Sequence, residues 1–132
     1  RRTEEADNIL TVDTHFSTRI KVRCHATELH EAIGNLVTNA LEAMPAGGTL
    51  TLRTSIDSNY GMLVVHDTGQ GLNEDVQKQM FEPFFTTKGP SIGLGLGLSV
   101  TWSIATRNGG SLEGSSQVGA GTKFTLKLPL DN

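Results

Sequence analysis

The sequence predicts an α/β sandwich, in which helices pack on a largely antiparallel sheet. Residues 27–44 place apolar side chains at alternating steps of three and four, which is the period of a helix with one buried face. Residues 49–56 and 122–128 instead alternate apolar and polar side chains, which is typical of strands buried on one face. Glycine-containing turns bound these segments, as expected for antiparallel strands.

Composition and charge limit the class of protein. The chain of 132 residues is of single-domain size, and its apolar content of 36% is that of a soluble globular domain. The formal net charge of −3 comes from 14 acidic and 11 basic residues that are spread along the chain. Because no basic cluster is present, we expect no nucleic-acid partner.

The sequence also suggests where the domain works and where it begins. It contains no apolar run of membrane-spanning length and no signal peptide, and the single Cys24 excludes an internal disulfide framework. We therefore expect a cytoplasmic domain whose parent protein is either membrane-bound or soluble. Residues 1–8 are charged and lack periodicity, so we interpret them as a linker or a remnant of a longer polypeptide, and residues 9–132 as the folded domain.

The first elements are two short strands and a core helix. Ile9 to Phe16 and Ile20 to Cys24 contain short β-branched runs with alternation, which predict two strands. In the core helix, Thr27 is a suitable N-cap, and Pro45 disfavours helical geometry at the residue before it.

A buried strand is expected to deliver one carboxylate into a glycine turn. Residues 49–56 form an antiparallel pair with residues 62–65, which are apolar on both faces and therefore central. This second strand ends directly on Asp67, and the sequence Thr68-Gly69-Gln70-Gly71 follows.

The remaining elements are two helices and two strands. Asn73 can cap a short helix, and Gly93 to Leu98 open a second helix that stops at an Asn-Gly-Gly sequence. Strands are predicted at residues 111–116 and 122–128. Thr122 is the polar head of the inward-facing row of the last strand.

The core helix carries a polar stripe beside its apolar face, formed by Glu31, Asn35, Asn39 and Glu42. Asparagine is a mediocre helix former, so two asparagines one turn apart require an explanation. They are either solvent-exposed or local caps, or their amide oxygens bind a shared group such as a metal ion held between phosphates. The helix alone leaves both explanations open.

Spacing excludes several other motifs. The glycines at 93–97 are spaced GxGxG without a preceding strand, unlike a dinucleotide fingerprint, and the chain contains no GxxxxGK[ST] P-loop. His30-Glu31 fails the zinc-protease pattern because Gly34 replaces the second histidine, and Gly69 stands at a ligand position of a calcium loop. His66 is interpreted as a strand residue rather than a base.

The features that remain suit a nucleoside triphosphate. Backbone N–H groups of Gly93 to Leu98 could cradle phosphate, and Asn39 could hold Mg²⁺. A buried Asp67 could accept a hydrogen bond from an exocyclic amino group, for which adenine is the natural donor.

Four short motifs follow one another along the chain. They are Asn35-Leu36-Val37-Thr38-Asn39-Ala40, Asp67-Thr68-Gly69-Gln70-Gly71, Phe81-Glu82-Pro83-Phe84-Phe85 and Gly93-Leu94-Gly95-Leu96-Gly97-Leu98. In order and spacing they resemble the N, G1, F and G2 boxes of the catalytic, ATP-binding domain of bacterial sensor histidine kinases, in the superfamily that also contains type II topoisomerase ATPases, Hsp90 and MutL. The resemblance implies the Bergerat fold, a mixed, largely antiparallel five-stranded sheet with three helices on one face.

The resemblance also implies an ATP·Mg²⁺ site. Asn39 becomes the Mg²⁺ ligand, Asn35 a neighbour on the phosphate side, Asp67 the adenine anchor and Thr122 its water-bridging partner. Residues 81–97 become a mobile lid. The expected ATP-binding residues are Asn35, Asn39, Glu42, Asp67, Gly69, Gly71, Lys88, Gly93, Gly95, Gly97, Leu98 and Thr122.

The function implied is that of a protein histidine kinase. The domain would donate the γ-phosphate of ATP to a histidine on a separate helical dimerisation domain of the same parent, and a response regulator receiver domain would act downstream. We expect the isolated fragment to be monomeric and the parent to be dimeric. Asn35 stands where the ATP-hydrolysing relatives have a water-activating glutamate, which favours a kinase because an amide is not a general base.

Two other functions stay open from the sequence. One is an anti-sigma-type serine kinase of the same superfamily, and the other is a nucleotide-sensing regulatory module without transfer activity. The Glu82 to Lys88 segment argues against the serine kinase.

Overall fold

The computed structural model describes residues 9–16, 19–71 and 94–131. In chain order their elements are β1 (Leu10–His15), α1 (Ala26–Glu42), β2 (Gly48–Asp57), β3 (Tyr60–Asp67), α2 (Leu94–Arg107), β4 (Ser111–Gln117) and β5 (Gly121–Pro129). Two helices, rather than the expected three, are therefore present in these ranges. The short helix predicted at Asn73 and nearly all of the predicted lid lie outside the described residues.

The strands form one five-stranded sheet in the order β1-β2-β3-β5-β4. β1 pairs with β2 in parallel, whereas the β2–β3, β3–β5 and β4–β5 pairs are antiparallel. The predicted mixed, largely antiparallel sheet is thus confirmed. The last strand of the chain lies between β3 and β4, so the end of the central strand β3 lies beside the start of β5.

The second strand predicted before the core helix, Ile20 to Cys24, is wrong. Val22 forms only an isolated antiparallel bridge with Leu130. A further backbone hydrogen bond runs from the Arg23 N–H to the Pro129 carbonyl, at 2.8 Å. The segment therefore lies along the end of β5 without forming a ladder, because alternation in sequence does not supply a pairing partner.

Helix α1 begins one residue earlier than its predicted cap. His25 occupies the N-cap position without a side-chain cap, so Thr27 is already inside the helix. The start of α1 is joined to the end of α2: Glu28 Oε2 lies 2.9 Å from an Arg107 guanidinium nitrogen, and the Asn108 amide donates to Glu28 Oε1 at 3.0 Å. These contacts hold the two helices side by side.

Both helices cover the same face of the sheet and form the core with it. The buried apolar residues are Ala32, Leu36, Ala40 and Met44 from the α1 region, Leu98, Ile104 and Ala105 from α2, and Leu50, Val65, Leu112, Phe124, Leu126 and Leu128 from the strands. Every second residue of β5 faces this core, as its alternation predicts, while Lys123 on the other face is exposed. Within the described ranges, no helix is long and apolar enough to cross a membrane.

Candidate functional site

Asp67 is a buried carboxylate at the end of the central strand β3. It pairs in register with Leu50 of β2 and with Thr122 of β5, and it is only 3% exposed. Its Oδ1 accepts a hydrogen bond from the Gly69 N–H at 2.8 Å, and the Thr122 backbone N–H donates to the carboxylate as well. Burial raises the pKa of Asp67, while these two donors and the nearby His66 lower it by less. A ligand that supplies a further donor would therefore be favoured here.

The hydroxyl oxygen of Thr122 can accept hydrogen bonds beside Asp67. Its hydroxyl oxygen lies 2.8 Å from Ser116 Oγ, and Ser116 Oγ donates to the Gly121 carbonyl at 3.0 Å. A serine hydroxyl has one hydrogen, so Thr122 is the donor in the bond between the two hydroxyls and keeps its lone pairs for other donors. Sequence reasoning missed Ser116, because only the β4–β5 register brings it opposite Thr122.

Gly69 and Gly71 are required by the packing of the turn after Asp67. A Cβ at Gly69 would clash with the Ala43 carbonyl just past α1. Gly71 has φ of 79°, in the left-handed region, and its Cα lies against the Gln117 carbonyl. Both predicted glycines thus have steric reasons to be glycine: Gly69 brings the turn against the end of α1, and Gly71 brings it against the end of β4.

Asn39 of α1 carries an unpaired polar group in a buried position. The residue is 9% exposed, and its side-chain nitrogen is buried without a hydrogen-bond partner among the described residues. A buried polar group left unpaired costs about 1–3 kcal/mol. The oxygen and nitrogen of a carboxamide exchange places by rotation of the amide, so either could face a ligand here. A carboxamide oxygen turned to this position would fit the predicted role of Asn39 as a ligand to a bound ion, which the amide nitrogen itself does not fill.

Asn35, one turn earlier on α1, contacts the start of α2. Its side-chain nitrogen donates to the Gly97 carbonyl at 3.3 Å and to Thr101 Oγ1 at 3.2 Å. Thr101 Oγ1 in turn donates to the Gly97 carbonyl at 2.9 Å, and Thr101 is fully buried. Sequence reasoning missed Thr101, although a threonine four residues after Gly97 on a helix has the spacing for this bond.

The start of α2 presents backbone N–H groups that have no partner within the helix itself. The helix begins before Gly95, so Gly95 and Gly97 belong to its first turns rather than to a preceding loop. The first four N–H groups of a helix lack partners within it and form its positive end. Leu98 lies beyond the first four residues of α2, and its side chain is buried in the core, so its place among the ATP-binding residues stays a prediction. Lys88 and Gly93 lie outside the described residues.

Hydrogen bonds and close packing connect two groups of the predicted site residues. Asn35 meets Gly97, Asp67 meets Thr122, and the turn after Asp67 packs against the end of α1 that follows Asn39. Glu42, the last residue of α1, is exposed. In the described ranges, no group of three or more His, Cys, Asp or Glu side chains could hold a metal ion. A cation at Asn39 would therefore take most of its oxygen ligands from a bound substrate and water, which is the usual arrangement for Mg²⁺ with phosphates.

Comparison with known proteins identifies relatives over nearly the whole chain. Residues 24–132 match the family described as histidine kinase-, DNA gyrase B-, and HSP90-like ATPase. Sensor kinase CckA of Brucella abortus is 38% identical over 123 residues, which cover 82% of this chain and 13% of that protein. Sporulation kinase E of Bacillus subtilis is 34% identical over 83% of this chain and 15% of that protein. The chain therefore spans only a small part of the curated relatives that it matches.

Solved structures agree with these matches. The mycobacterial sensor histidine kinase MprB superimposes with a TM-score of 0.80 and 27% identity, over 98% of this chain and 87% of that one. Full-length ShkA in complex with AMPPNP superimposes with a TM-score of 0.81 and 25% identity, over 99% of this chain and 27% of that one.

Proposed function

Because the chain belongs to the histidine kinase-, DNA gyrase B-, and HSP90-like ATPase family, we propose that it binds ATP with Mg²⁺ and donates the γ-phosphate to a histidine on a helical domain of its parent protein. The observation that carries the proposal is the buried side chain of Asn39, whose amide nitrogen has no hydrogen-bond partner among the described residues, on the helix that packs against the turn after Asp67. The Asn39 side chain is suited to a metal–phosphate complex, and the Asp67 carboxylate is suited to a base that donates hydrogen bonds.

Adenine lies against the sheet end in this proposal. The Asp67 carboxylate accepts from the exocyclic amino group, and Thr122 offers further acceptor capacity, directly or through water. The two backbone N–H groups that already bind the carboxylate fix its orientation. The hydrogen-bond donors of adenine then stabilise the negative charge of the Asp67 carboxylate, whose burial is otherwise unfavourable.

The phosphates extend towards α1 and the start of α2. Asn39 supplies an oxygen to Mg²⁺, and the free N–H groups at the start of α2 bind phosphate oxygens. When bound, Mg²⁺ neutralises charge that develops on the transferred phosphoryl group. The protein's own contribution is to hold the triphosphate in position. It also provides no base for hydrolysis at Asn35, because this amide donates hydrogen bonds to α2 and cannot activate water.

The acceptor histidine belongs to a separate helical dimerisation domain, with a response regulator receiver domain downstream. This assignment rests on the kinase relatives, of which the chain covers only a part. It predicts that the isolated domain binds ATP, is monomeric and transfers phosphate only when the helical domain is supplied.

Two measurements test the proposal together. Calorimetric titration of the domain with ATP should give binding that weakens when EDTA removes Mg²⁺. Incubation with γ-labelled ATP should label the parent's helical domain, added separately, on an acid-labile site, while the ATP-binding domain alone releases little phosphate. Rapid ATP hydrolysis by the isolated domain would contradict the kinase, and Mg²⁺-dependent binding without any transfer would instead support a nucleotide-sensing module.

A further inference from the structure

A closed set of three hydrogen bonds joins α1 to the start of α2. The Thr101 hydroxyl donates to the Gly97 carbonyl at 2.9 Å, and the Asn35 side-chain nitrogen lies 3.2 Å from Thr101 Oγ1 and 3.3 Å from the Gly97 oxygen. The single hydroxyl hydrogen of Thr101 is used on Gly97, so its oxygen accepts from Asn35. Both N–H bonds of the Asn35 amide are thereby directed at α2.

This hydroxyl is unusual for a core position. Thr101 is 0% exposed, and its helix neighbours Leu98, Ile104 and Ala105 are buried apolar residues. A threonine hydroxyl that bonds back to the carbonyl one turn earlier does not stabilise a helix by itself. Valine would fill the same volume without a polar group to satisfy. The polar contact with Asn35 is therefore what distinguishes threonine from an apolar residue at this position.

We propose that Thr101 is a positioning residue for the triphosphate. Through Asn35, its hydroxyl fixes the start of α2 relative to α1, so that the free N–H groups there and the Asn39 carboxamide, one turn after Asn35, face the same phosphates. The proposal rests on the proposed function, because it takes the start of α2 to be the phosphate-binding end of the site. Binding of the base at Asp67 does not depend on this contact.

The test compares ligands that share a base and differ in phosphates. Thr101→Val removes the hydroxyl at constant volume, and Thr101→Ser restores it. Thr106→Val is the matched control, because Thr106 Oγ1 makes the same kind of bond to the Trp102 carbonyl at 3.1 Å, at an exposed position of the same helix. Each variant of the whole domain is titrated with ATP·Mg²⁺ and with adenosine, and its fold is checked by near-ultraviolet circular dichroism.

Thr101→Val should weaken ATP binding by about three- to tenfold, the usual effect of losing a hydrogen bond, and leave adenosine binding unchanged. Thr101→Ser should restore the wild-type ratio of the two affinities, and Thr106→Val should not alter it. Asn35→Ala, at a half-buried position, provides a second variant if Thr101→Val does not fold. It should give the same selective loss. Where Thr101→Val does fold, the double variant should lose little more affinity for ATP than either single variant.

An unchanged ratio of ATP to adenosine affinity in folded Thr101→Val would overturn the inference. Equal losses for both ligands would do so too, because they would indicate a general packing role. A wild-type domain that binds adenosine as tightly as ATP·Mg²⁺ would instead refute the phosphate site itself, and with it the proposed function.

Discussion

Replacing Asp67 by asparagine should abolish most ATP affinity without unfolding the domain. The carboxylate offers two acceptor oxygens, and the backbone N–H groups of Gly69 and Thr122 already donate to it. Asparagine keeps one acceptor and turns the other into an NH₂ group. If its oxygen stays with Gly69, the NH₂ faces the amino group of adenine and a buried, charge-assisted hydrogen bond is lost. Such a bond contributes about 2–3 kcal/mol, so the dissociation constant should rise roughly 30- to 150-fold.

Calorimetric titration with ATP·Mg²⁺ measures this effect directly. The matched control is Asp57→Asn, which makes the same chemical change at an exposed carboxylate 3.5 Å from Lys127, where β2 ends. Its ATP affinity should equal that of the wild type. A folded Asp67→Asn domain that binds ATP within about twofold of the wild type would refute the assignment of Asp67 to the base, since even one lost neutral hydrogen bond exceeds that.

The same variant has a predictable effect on the stability of the ligand-free domain. The pKa of Asp67 is raised by burial, so the folded state binds its proton more tightly than the unfolded state does. The contribution of Asp67 to stability therefore falls as the pH rises from the unfolded pKa through the raised folded pKa. Urea unfolding over a range of pH should find that the stability of the wild type, measured relative to Asp67→Asn, falls as the pH rises from acidic values to pH 7. A relative stability that rises with pH would contradict the direction of this pKa shift.

Three further substitutions test other parts of the site and core. Asn39→Ala should weaken ATP binding in the presence of Mg²⁺ and leave binding in EDTA unchanged. Asn59→Ala, in the turn between β2 and β3, is the control and should leave ATP affinity unchanged under both conditions. A loss of affinity with Asn39→Ala that is the same with and without Mg²⁺ would exclude Asn39 as a ligand of the metal ion. Gly97→Ala should stabilise α2 by about 0.5–1 kcal/mol, because its new Cβ would meet Asn35 only at ordinary contact distances of 3.7 Å and more. ATP binding should nevertheless weaken, because the methyl group would enter the proposed phosphate site. Denaturation and titration of this variant should move in opposite directions, and unchanged affinity would remove Gly97 from the site. Leu36→Ala, at a residue with 0% exposure, should cost about 2–5 kcal/mol in urea unfolding, and a much smaller cost would contradict its place in the core.

Much of the fold could be predicted because it depends on short-range periodicity. The apolar row of α1, the alternation in β2 and β5 and the continuous apolar run in β3 each follow from which side chains must leave water. Asp67 could be singled out for the same reason, since a carboxylate at the end of a buried strand has few structural explanations. Asn39 was expected on the flank nearest the core, and it is the buried asparagine of the pair.

Local sequence patterns gave wrong predictions where the structure depends on which backbone groups pair with each other. Ile20 to Cys24 alternates much as a strand does, but its backbone contacts among the described residues are the isolated bridge at Val22 and single hydrogen bonds with Pro129 and Asp131. The core helix begins after His25 rather than Thr27, because helix ends respond to packing as well as to cap preference. In both places several arrangements were close in local free energy, and distant contacts decided between them.

The sequence by itself determined the period of each element, the buried end of β3 and the presence of polar groups suited to a triphosphate. Only the tertiary structure decided that Ser116 orients the Thr122 hydroxyl and that Thr101 reaches Asn35 across two helices. The physical reason is the distance along the sequence between the residues that interact. Periodicity is set by neighbours within a turn or two, whereas Asn35 and Thr101 are 66 residues apart and meet only because the packing of both helices on one sheet face brings them together.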